Sequence, residues 1–447
     1  MPHTLNQNFS VFSLLRFAWP TIGMMLVTAL FTVTDGIFIS RFAGEAALAA
    51  SNIVYPALNL IFGFSIMLST GGSALVAKTL GEGKNDLASR RFTMLVVFGF
   101  CLGAILAVSV ILFHYPLLTF LGADGNLMTD ARAYLLAIIA FAPFTMLSII
   151  FDAFFIADGK PMQGLYVSLT SGLVNALGDY IFLAQCDFGI LGAGLATGLS
   201  SSVAAFFGIY YFWRRSQTLF FRSFSWESRA LLQTLGNGSS EMVTELSIGI
   251  TTFLFNLMVS KFAGTAGIAA ITVVFYSEML LSSFFIGFSL GLAPIFSYRY
   301  GAKNFMGIIS LMKRALAILA AISLLSFSLA NLFAEPLVAL FLPSESTAFL
   351  LASTGLHLFS FSFLLTGFNA FTSSFFTALS DGKTSAFLAF SRDLVGISLF
   401  LLVLPFFLGM QGIWLAVPMA DICSGILSFL CLRKLGRRFL QKRFLDV

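Results

Sequence analysis

Two aspartates stand inside long apolar segments of this chain. Asp35 lies in FTVTDGIFIS, and Asp179 ends the stretch TSGLVNALGD. Asn175 shares a helical face with Asp179 because it precedes it by one turn, and Thr197 adds a hydroxyl from the next apolar segment. Burial disfavours a charged carboxylate, and a second carboxylate nearby disfavours it further. These residue types predict a site that holds H⁺ near neutral pH or binds Na⁺ through oxygen ligands, and the residues alone leave that choice open.

Further acids lie in the apolar segments, and the sequence places almost no base beside them. They are Asp152, Glu241, Glu245, Glu278 and Asp421. The main basic exception is Arg392, next to Asp393. Charges inside a membrane are costly and usually mark ion or substrate pathways, so an excess of acids favours a cationic ligand. The first four of these acids are candidates for a substrate cavity. The competing interpretation, that polar groups only hydrogen-bond helices together, is stronger for Asn175 and Thr197 than for the aspartates.

The elements that must position these residues follow from the composition. The chain has 447 residues, of which 58% are hydrophobic and 10% are charged, and its mean hydropathy is +0.94. A soluble protein carries about 25% charged residues, so this surface must meet lipid, and the fold class is an all-α polytopic membrane protein. Windows of roughly twenty apolar residues predict twelve transmembrane helices, at 14–39, 53–78, 92–113, 132–157, 163–184, 190–212, 234–260, 270–297, 311–333, 350–378, 386–408 and 410–432.

The basic residues test this count through the positive-inside rule. With the N-terminus in the cytoplasm, most of the 25 Lys and Arg fall in cytoplasmic loops or in the C-terminal tail, and only Arg41, Arg132 and Lys261 fall in outer loops. We therefore expect a multi-pass protein of a bacterial-type inner (plasma) membrane with both termini in the cytoplasm. The net charge of +5 resides in these loops and does not indicate a nucleic-acid partner. The N-terminus lacks the basic region and cleavage site of a signal peptide, so the first span is expected to be retained.

The chain also repeats itself with a shift of about half its length. RFAGEAALAASNIVYP at 41–56 aligns without gaps on KFAGTAGIAAITVVFY at 261–276, and ADGKP at 157–161 resembles SDGKT at 380–384. Each copy holds six spans, an even number, so both copies enter the membrane in the same sense. The sequence thus predicts two pseudo-symmetric six-helix bundles, a parallel repeat with a binding site at the interface.

The repeat divides the chain into three parts. We predict an N-terminal six-helix bundle at 1–212, a cytoplasmic linker at 213–230, and a C-terminal bundle with a basic cytoplasmic tail at 231–447. The position in the second copy that matches Asp35 lies near Phe255, where no acid stands. The cation site is therefore expected in the N-terminal bundle alone.

Helix directions arrange the polar residues of that bundle by depth. Helices 1 and 5 run outward and helix 6 runs inward, which places Asp35, Asp179 and Thr197 at one level in the outer half. Pro20 removes a backbone hydrogen bond from helix 1 and predicts a kink there. A proline within the first turns of an unkinked helix is the alternative.

The motifs in order resemble one transporter family over nearly the whole chain. TDGIFISRFAGEAALAA after helix 1, GEGK after helix 2 and ADGK after helix 4 are similar to the multidrug and toxic compound extrusion (MATE) transporters, most of all their DinF-like branch. The resemblance implies a V-shaped secondary antiporter that exports cationic or amphipathic drugs in exchange for H⁺ or Na⁺, without a cofactor. We expect it to act as a monomer in the bilayer.

The resemblance also implies roles for individual residues. The family's cation-coupling acid in helix 1, its helix-5 Asn and Asp pair and its helix-6 Thr correspond here to Asp35, Asn175, Asp179 and Thr197, and its helix-1 proline to Pro20. Two positions in helix 4 depart from the family. Asp152 stands where Asn is frequent, and Ile156 stands where a basic residue is usual.

Two other functions were weighed against a cation-coupled exporter. A lipid-linked oligosaccharide flippase of the same wider superfamily carries an anionic pyrophosphate, which calls for basic residues in the cavity, whereas this sequence places acids there. A membrane enzyme or channel is the second alternative. No HExxH motif, paired His ligands or nucleophile motif appears in the sequence, and a channel has no evident use for the doubled bundle.

Overall fold

The structure, a computed structural model, describes residues 5, 7, 9–123 and 125–445, and within them it contains helices and no β-strand. In this described part of the chain, eleven helices are long and apolar enough to cross a membrane, and a bent pair of helices, taken as one span, is the twelfth. This confirms the predicted count and the all-α fold class. In chain order, the spans α1 to α12 are Val11–Ala43, Ala50–Gly81, Asn85–Phe120, Leu127–Ile139 with Ala142–Ala157, Pro161–Gln185, Ile190–Arg214, Ser228–Gly264, Ala266–Gly301, Phe305–Leu332, Thr347–Ala378, Gly382–Leu408 and Met410–Arg437.

Helix α4 differs from its prediction as one uninterrupted span. Its two halves meet at an angle of 54°. Pro143 lies in the first turn of the second half, and a proline has no N–H to donate to the preceding turn. The chain therefore bends just before this residue, which turns the first half of α4 towards the neighbouring helices of its bundle.

The internal repeat is visible in the backbone. Gly44 precedes α2 with φ +92°, and Gly264 separates α7 from α8 with φ +57°. Gly189 and Gly409, which precede α6 and α12, have φ of +57° and +56°. L-residues rarely adopt this left-handed region, so glycine at equivalent positions gives both copies the same turns between helices.

The buried apolar side chains form two clusters, one in each half of the chain. Helices α2 to α6 build the first cluster, and α8 to α12 build most of the second. Helix α1 contributes to both, because Leu14 and Ile22 pack in the second cluster whereas Ile39 packs in the first. The first helix therefore crosses from one bundle to the other along its length. The exact division of the chain at residues 212 and 231 stays a prediction.

The two bundles contact each other closely at one end. We call this the linker end, because the connection 215–227 lies there, and we call the opposite end the far end. A Cβ on Gly81 of α2 would overlap the Tyr298 carbonyl oxygen of α8, and a Cβ on Gly301 would overlap the Lys78 carbonyl oxygen. Glycine at these crossings allows the backbones to touch, as small residues do between membrane helices.

Candidate functional site

The residues predicted for the cation site lie at one level near the far end. Asp35 precedes the end of α1 at residue 43, Asp179 precedes the end of α5 at residue 185, and Thr197 follows the start of α6 at residue 190. Asp179 is fully buried, Asn175 is 8% exposed, and Asp35 is half-buried. The structure thus brings these side chains together inside the N-terminal bundle.

Small residues let the three helices approach at this level. A Cβ on Gly172 of α5 would overlap the Phe31 ring of α1, and a Cβ on Gly178 would lie 2.8 Å from the Ala196 Cβ of α6. Because α5 carries no side chain at these two positions, α1 and α6 can pack directly against it. This packing holds the carboxylates of α1 and α5 next to each other.

The Asp35 and Asp179 carboxyl groups are within hydrogen-bonding reach of one another. Among the described residues, no donor serves Asp35 Oδ1 or either carboxylate oxygen of Asp179, and all three atoms are buried. A buried acceptor without a donor costs on the order of 1 to 3 kcal/mol. A proton held between the two carboxyl groups, or a cation bound to their oxygens, would remove that cost.

Asn175 and Thr197 complete the layer. The Asn175 side-chain amide donates to Thr197 Oγ1 over 3.3 Å, which links α5 to α6. The Asn175 side-chain oxygen and the Thr197 hydroxyl add neutral oxygen atoms beside the two carboxyl groups. Hard cations take such oxygen ligands, so the same four residues suit a proton or Na⁺ by their chemistry.

Tyr134 belongs to this layer, although it was not among the predicted site residues. It lies on the first half of α4, is 6% exposed, and is close enough to Asp35, Asp179 and Tyr55 to interact with them electrostatically. A tyrosine in an apolar helix is usually a packing residue. The available signal was its distance from the start of α4, which matches that of Thr197 from the start of α6.

Local helix distortions coincide with the charged residues. A π-helical turn at Ile39–Ala43 follows Asp35, a second at Tyr180–Gln185 follows Asp179, and a third at Phe390–Gly396 contains Arg392 and Asp393. Such turns are rare and frequently lie at functional sites, because the extra residue rotates the side chains that follow.

The C-terminal bundle holds its own buried charges, and they are arranged differently. Arg392 Nε lies 2.5 Å from Asp421 Oδ1, and Arg392 Nη1 lies 2.7 Å from Asp393 Oδ1. Arg392 was expected beside Asp393 alone, and the structure shows that it also neutralises Asp421. Arg392 reaches from α11 to α12 because the π-helical turn directs two consecutive residues, Arg392 and Asp393, into the bundle.

Hydroxyl and amide donors surround this cluster. Thr366 donates to Asp421 over 2.7 Å, and Asn369 donates to the same carboxylate over 3.0 Å. On the other side, Thr244 of α7 donates to Asp393 over 2.6 Å. Asp421 and Asp393 are therefore satisfied acceptors, in contrast to the aspartates of the first bundle.

The acids predicted for a substrate cavity lie outside the Asp35–Asp179 pair. Glu278 accepts from Ser282 over 3.1 Å and lies within electrostatic range of Arg392. Glu245 of α7 faces the first bundle, since its Cβ would lie 3.6 Å from a Cβ on Gly63 of α2.

Glu241 and Asp152 are partly buried, and no described residue forms a hydrogen bond or ion pair with either. Glu241 lies one turn from Glu245, within electrostatic range of it. Pro20 lies inside α1, whose backbone keeps helical dihedral angles on both sides of it, and the kink stays a prediction.

One further acid, Asp158, was not predicted as a functional residue. Asp158 ends α4 at the linker end, outside the membrane-spanning segments, and is 4% exposed. It accepts hydrogen bonds from the Tyr211 hydroxyl, the Ser216 hydroxyl and the Leu219 N–H. Burial raises the pKa of Asp158 to about 6, and these hydrogen bonds oppose the shift. Asp158 thus joins the interbundle connection to the N-terminal bundle through hydrogen bonds.

Comparison with known proteins agrees with this architecture. The sequence profile of the MatE family matches residues 20–181 and 242–402, one segment in each half of the chain. The multidrug export protein MepA of Staphylococcus haemolyticus (strain JCSC1435) is 23% identical over 422 residues, covering 94% of this chain and 92% of that protein.

Two solved structures share the fold. The crystal structure of a MATE transporter in complex with MaL6 superimposes with a TM-score of 0.93 at 22% identity, covering 99% of this chain and 100% of that one. A MOP superfamily transporter from Pyrococcus furiosus, described as having a binding pocket of reverse polarity that suggests a different function, gives a TM-score of 0.91 at 23% identity over 98% and 99% of the two chains.

The family profile covers both bundles and more than half of the chain, and its two segments follow the internal repeat. The helix count, the paired bundles and the solved relatives agree with it. The protein is therefore a member of the MatE family, a multi-span membrane transporter and not an enzyme.

Proposed function

We propose that this transporter exports cationic or amphipathic organic compounds in exchange for protons that bind between Asp35 and Asp179. The single observation that supports this most is the contact between the two carboxyl groups, which have no base beside them and no donor among the described residues. Two carboxylates in contact repel each other unless one holds a proton. Binding of a proton is thus coupled to the packing of α1 against α5.

Na⁺ is the alternative coupling ion. It would use the carboxylate oxygens together with the Asn175 side-chain oxygen and the Thr197 hydroxyl, which lie in the same layer. The proton is favoured because the direct contact between two acids needs one, whereas Na⁺ would have to separate the carboxyl groups and place its ligands around itself.

The substrate is proposed to be a cation because the cavity candidates are acids. Glu245 interacts electrostatically with Tyr55 of the first bundle, and Tyr276 of α8 lies near that tyrosine. A carboxylate with aromatic rings beside it suits an organic cation, since the ring faces attract positive charge. Glu241 and Asp152 would extend the negative surface. The name of the Staphylococcus relative, a multidrug export protein, is consistent with such a substrate.

Transport is proposed to follow alternating access between the two bundles. The basic loops would place the linker end and both termini in the cytoplasm. The glycine crossings close that end in the structure, so the cavity candidates would be reached from the outside. Protonation of the aspartate pair would then favour substrate release, and deprotonation towards the cytoplasm would reset the carrier.

The flippase alternative would need a cationic cavity for its pyrophosphate. Arg392 is held by two aspartates, and Arg299, a second buried base of the C-terminal bundle, donates to the backbone oxygens of Gly307 and Gln7. The Pyrococcus relative has the same fold and is described with a pocket of reverse polarity, so polarity has to be judged from side chains and not from the fold. Here the cavity candidates Glu241 and Asp152 are acids, and neither has a partner among the described residues.

The test is efflux of a fluorescent organic cation from proteoliposomes, with a pH gradient and a Na⁺ gradient imposed in separate experiments. We expect the pH gradient to drive transport and the double variant Asp35→Asn/Asp179→Asn to abolish it. Lys261→Gln, an exposed residue at the far end, is the matched surface control. Transport driven by Na⁺ alone would assign the other ion, and full activity of the double variant under both gradients would refute the site.

A further inference from the structure

A cavity of about 420 Å³ opens at the linker end, where α2 and α3 meet the start of α7. Its wall carries six charged side chains, four basic and two acidic: Lys78, Lys84, Arg91, Arg229, Glu82 and Glu227. Nothing in the proposed transport cycle uses this cavity. It is distinct from the aspartate pair, which lies at the opposite end of the same bundle.

Both acids of the cavity are already paired. Lys84 Nζ lies 2.9 Å from Glu82. Arg91 Nε and Nη2 donate to the two carboxylate oxygens of Glu227 over 2.9 and 2.6 Å. The Arg91 guanidinium lowers the pKa of Glu227, so this acid stays ionised and its charge is cancelled by that base. The wall therefore keeps an excess of two positive charges, those of Lys78 and Arg229.

In the described part of the chain, these two bases have no direct acidic partner, although Arg229, which is exposed, lies within electrostatic range of Glu227. Within the described residues, neither Lys78 nor Arg229 forms an ion pair or a side-chain hydrogen bond. The Lys78 ammonium is half-buried and lies 5.4 Å from the centre of the Tyr300 ring. A half-buried ammonium with no carboxylate partner is costly, and an anion in the cavity would remove that cost.

The cavity is also close in sequence to exposed tryptophans, which are typical of the depth of lipid headgroups. Trp226, which immediately precedes Glu227, is 56% exposed, and Trp213 at the end of α6 is 65% exposed. Tryptophan is enriched where a membrane meets water. Basic pockets between transmembrane helices at this depth bind phosphorylated headgroups.

We infer that this cavity binds the phosphate group of an anionic ligand, with an acidic phospholipid headgroup as the source and free phosphate as the competing one. Lys78 comes from α2 and Arg229 from the first turn of α7, so one phosphate would join these two helices. Since α2 and α8 already touch beside Lys78, binding would stabilise the arrangement in which the linker ends are together.

The test measures binding to the purified full-length protein in detergent. Micelles containing phosphatidylglycerol are titrated in one arm, phosphatidylcholine micelles in a second, and inorganic phosphate in a third, with the melting temperature as readout. We expect phosphatidylglycerol to raise the melting temperature and phosphatidylcholine to leave it unchanged. The double variant Lys78→Gln/Arg229→Gln should weaken the apparent affinity by about 25-fold, a factor of about five for each charge near the membrane.

The control is Arg215→Gln/Lys313→Gln, which removes two exposed bases from the same end outside the cavity and should retain wild-type affinity. Lys78→Arg/Arg229→Lys keeps both charges and guards against a folding defect. If inorganic phosphate stabilises the wild-type protein and Lys78→Gln/Arg229→Gln abolishes this effect, the site belongs to free phosphate. Equal loss in the control, or equal stabilisation by phosphatidylcholine, would overturn the inference.

Discussion

The two bundles share one helical plan but treat their buried acids in opposite ways. In the first bundle Asp35 and Asp179 face each other, and the described residues offer them neither a base nor a donor. In the second bundle Arg392 lies between Asp393 and Asp421, and three neutral side chains complete their hydrogen bonds. We propose that the first bundle depends on an exchangeable cation, whereas the second carries its cation in the Arg392 side chain.

The two charged sites are not copies of each other. In the register of ADGKP and SDGKT, Asp179 aligns with Leu402, and Asp393 aligns with Thr170. The ion cluster of the second bundle is therefore displaced by more than two helical turns towards the linker end. The comparison teaches that a repeat can conserve helix order and turn glycines while the charged side chains move to different levels.

The largest expected effect separates the two sites by function. Asp179→Asn should reduce gradient-driven efflux in proteoliposomes to the level of empty liposomes and leave the melting temperature nearly unchanged, because the amide replaces one partner of a repelling pair. Asp421→Asn should show the reverse, with lower stability and proton-coupled transport retained in the folded fraction. If Asp179→Asn transported normally while Asp421→Asn lost coupling, the roles of the bundles would be exchanged.

Removal of the Arg392 guanidinium tests whether it stabilises the second bundle. Arg392→Met should destabilise the protein by roughly 3 to 5 kcal/mol, because it leaves two carboxylates buried without their base. Thermal unfolding in detergent measures this, and Arg392→Lys, which keeps the charge, should lose less. A stable Arg392→Met protein that no longer responds to a pH gradient would show that this cluster couples transport instead of holding the bundle together.

Packing between α1 and α5 is expected to have a smaller effect. Gly172→Ala places a methyl group where the Phe31 ring lies, and such overpacking costs about 1 to 3 kcal/mol. We expect lower stability and weaker pH dependence of efflux, because the two carboxyl groups are pushed apart. Gly36→Ala is the matched control on α1, since no atom lies within 4 Å of its added Cβ. Equal behaviour of the two variants would argue against a role for this contact.

The smallest expected effect concerns the aspartates of the two DGK motifs, Asp158 in ADGKP and Asp381 in SDGKT. Asp158 binds the interbundle connection, whereas Asp381 caps its own helix through Thr384. The pKa of Asp158 is raised from 3.8 to about 6 by burial, so the folded state binds this proton more tightly than the unfolded chain does. The stability it contributes is present below pH 3.8 and is lost as the pH rises through about 6.

The direction in which pH changes the stability contribution of Asp158 can be measured. The difference in unfolding free energy between wild type and Asp158→Asn should increase by about 1 kcal/mol when the pH falls from 7.5 to 5. Melting temperatures of the two proteins at both pH values measure it. A difference that shrinks on acidification would contradict the assignment.

The amino-acid sequence by itself determined the twelve spans, the parallel repeat and the identity of the first-bundle acids. Each of these depends on the order of residues along the chain: the length of apolar runs, the alternation of basic loops, and the spacing of glycines such as Gly44 and Gly264. Helix direction then places Asp35, Asp179 and Thr197 at one level, since depth in a membrane follows from residue count.

Only the tertiary structure decided which of these side chains meet. Contacts between helices depend on how each helix is rotated, and π-helical turns beside Asp35, Asp179 and Arg392 change that rotation locally. The pairing of Arg392 with Asp421, the presence of Tyr134 beside the aspartates and the cavity around Lys78 arise between segments far apart in sequence. No local pattern records such contacts, because they are properties of packing between helices and not of any one helix.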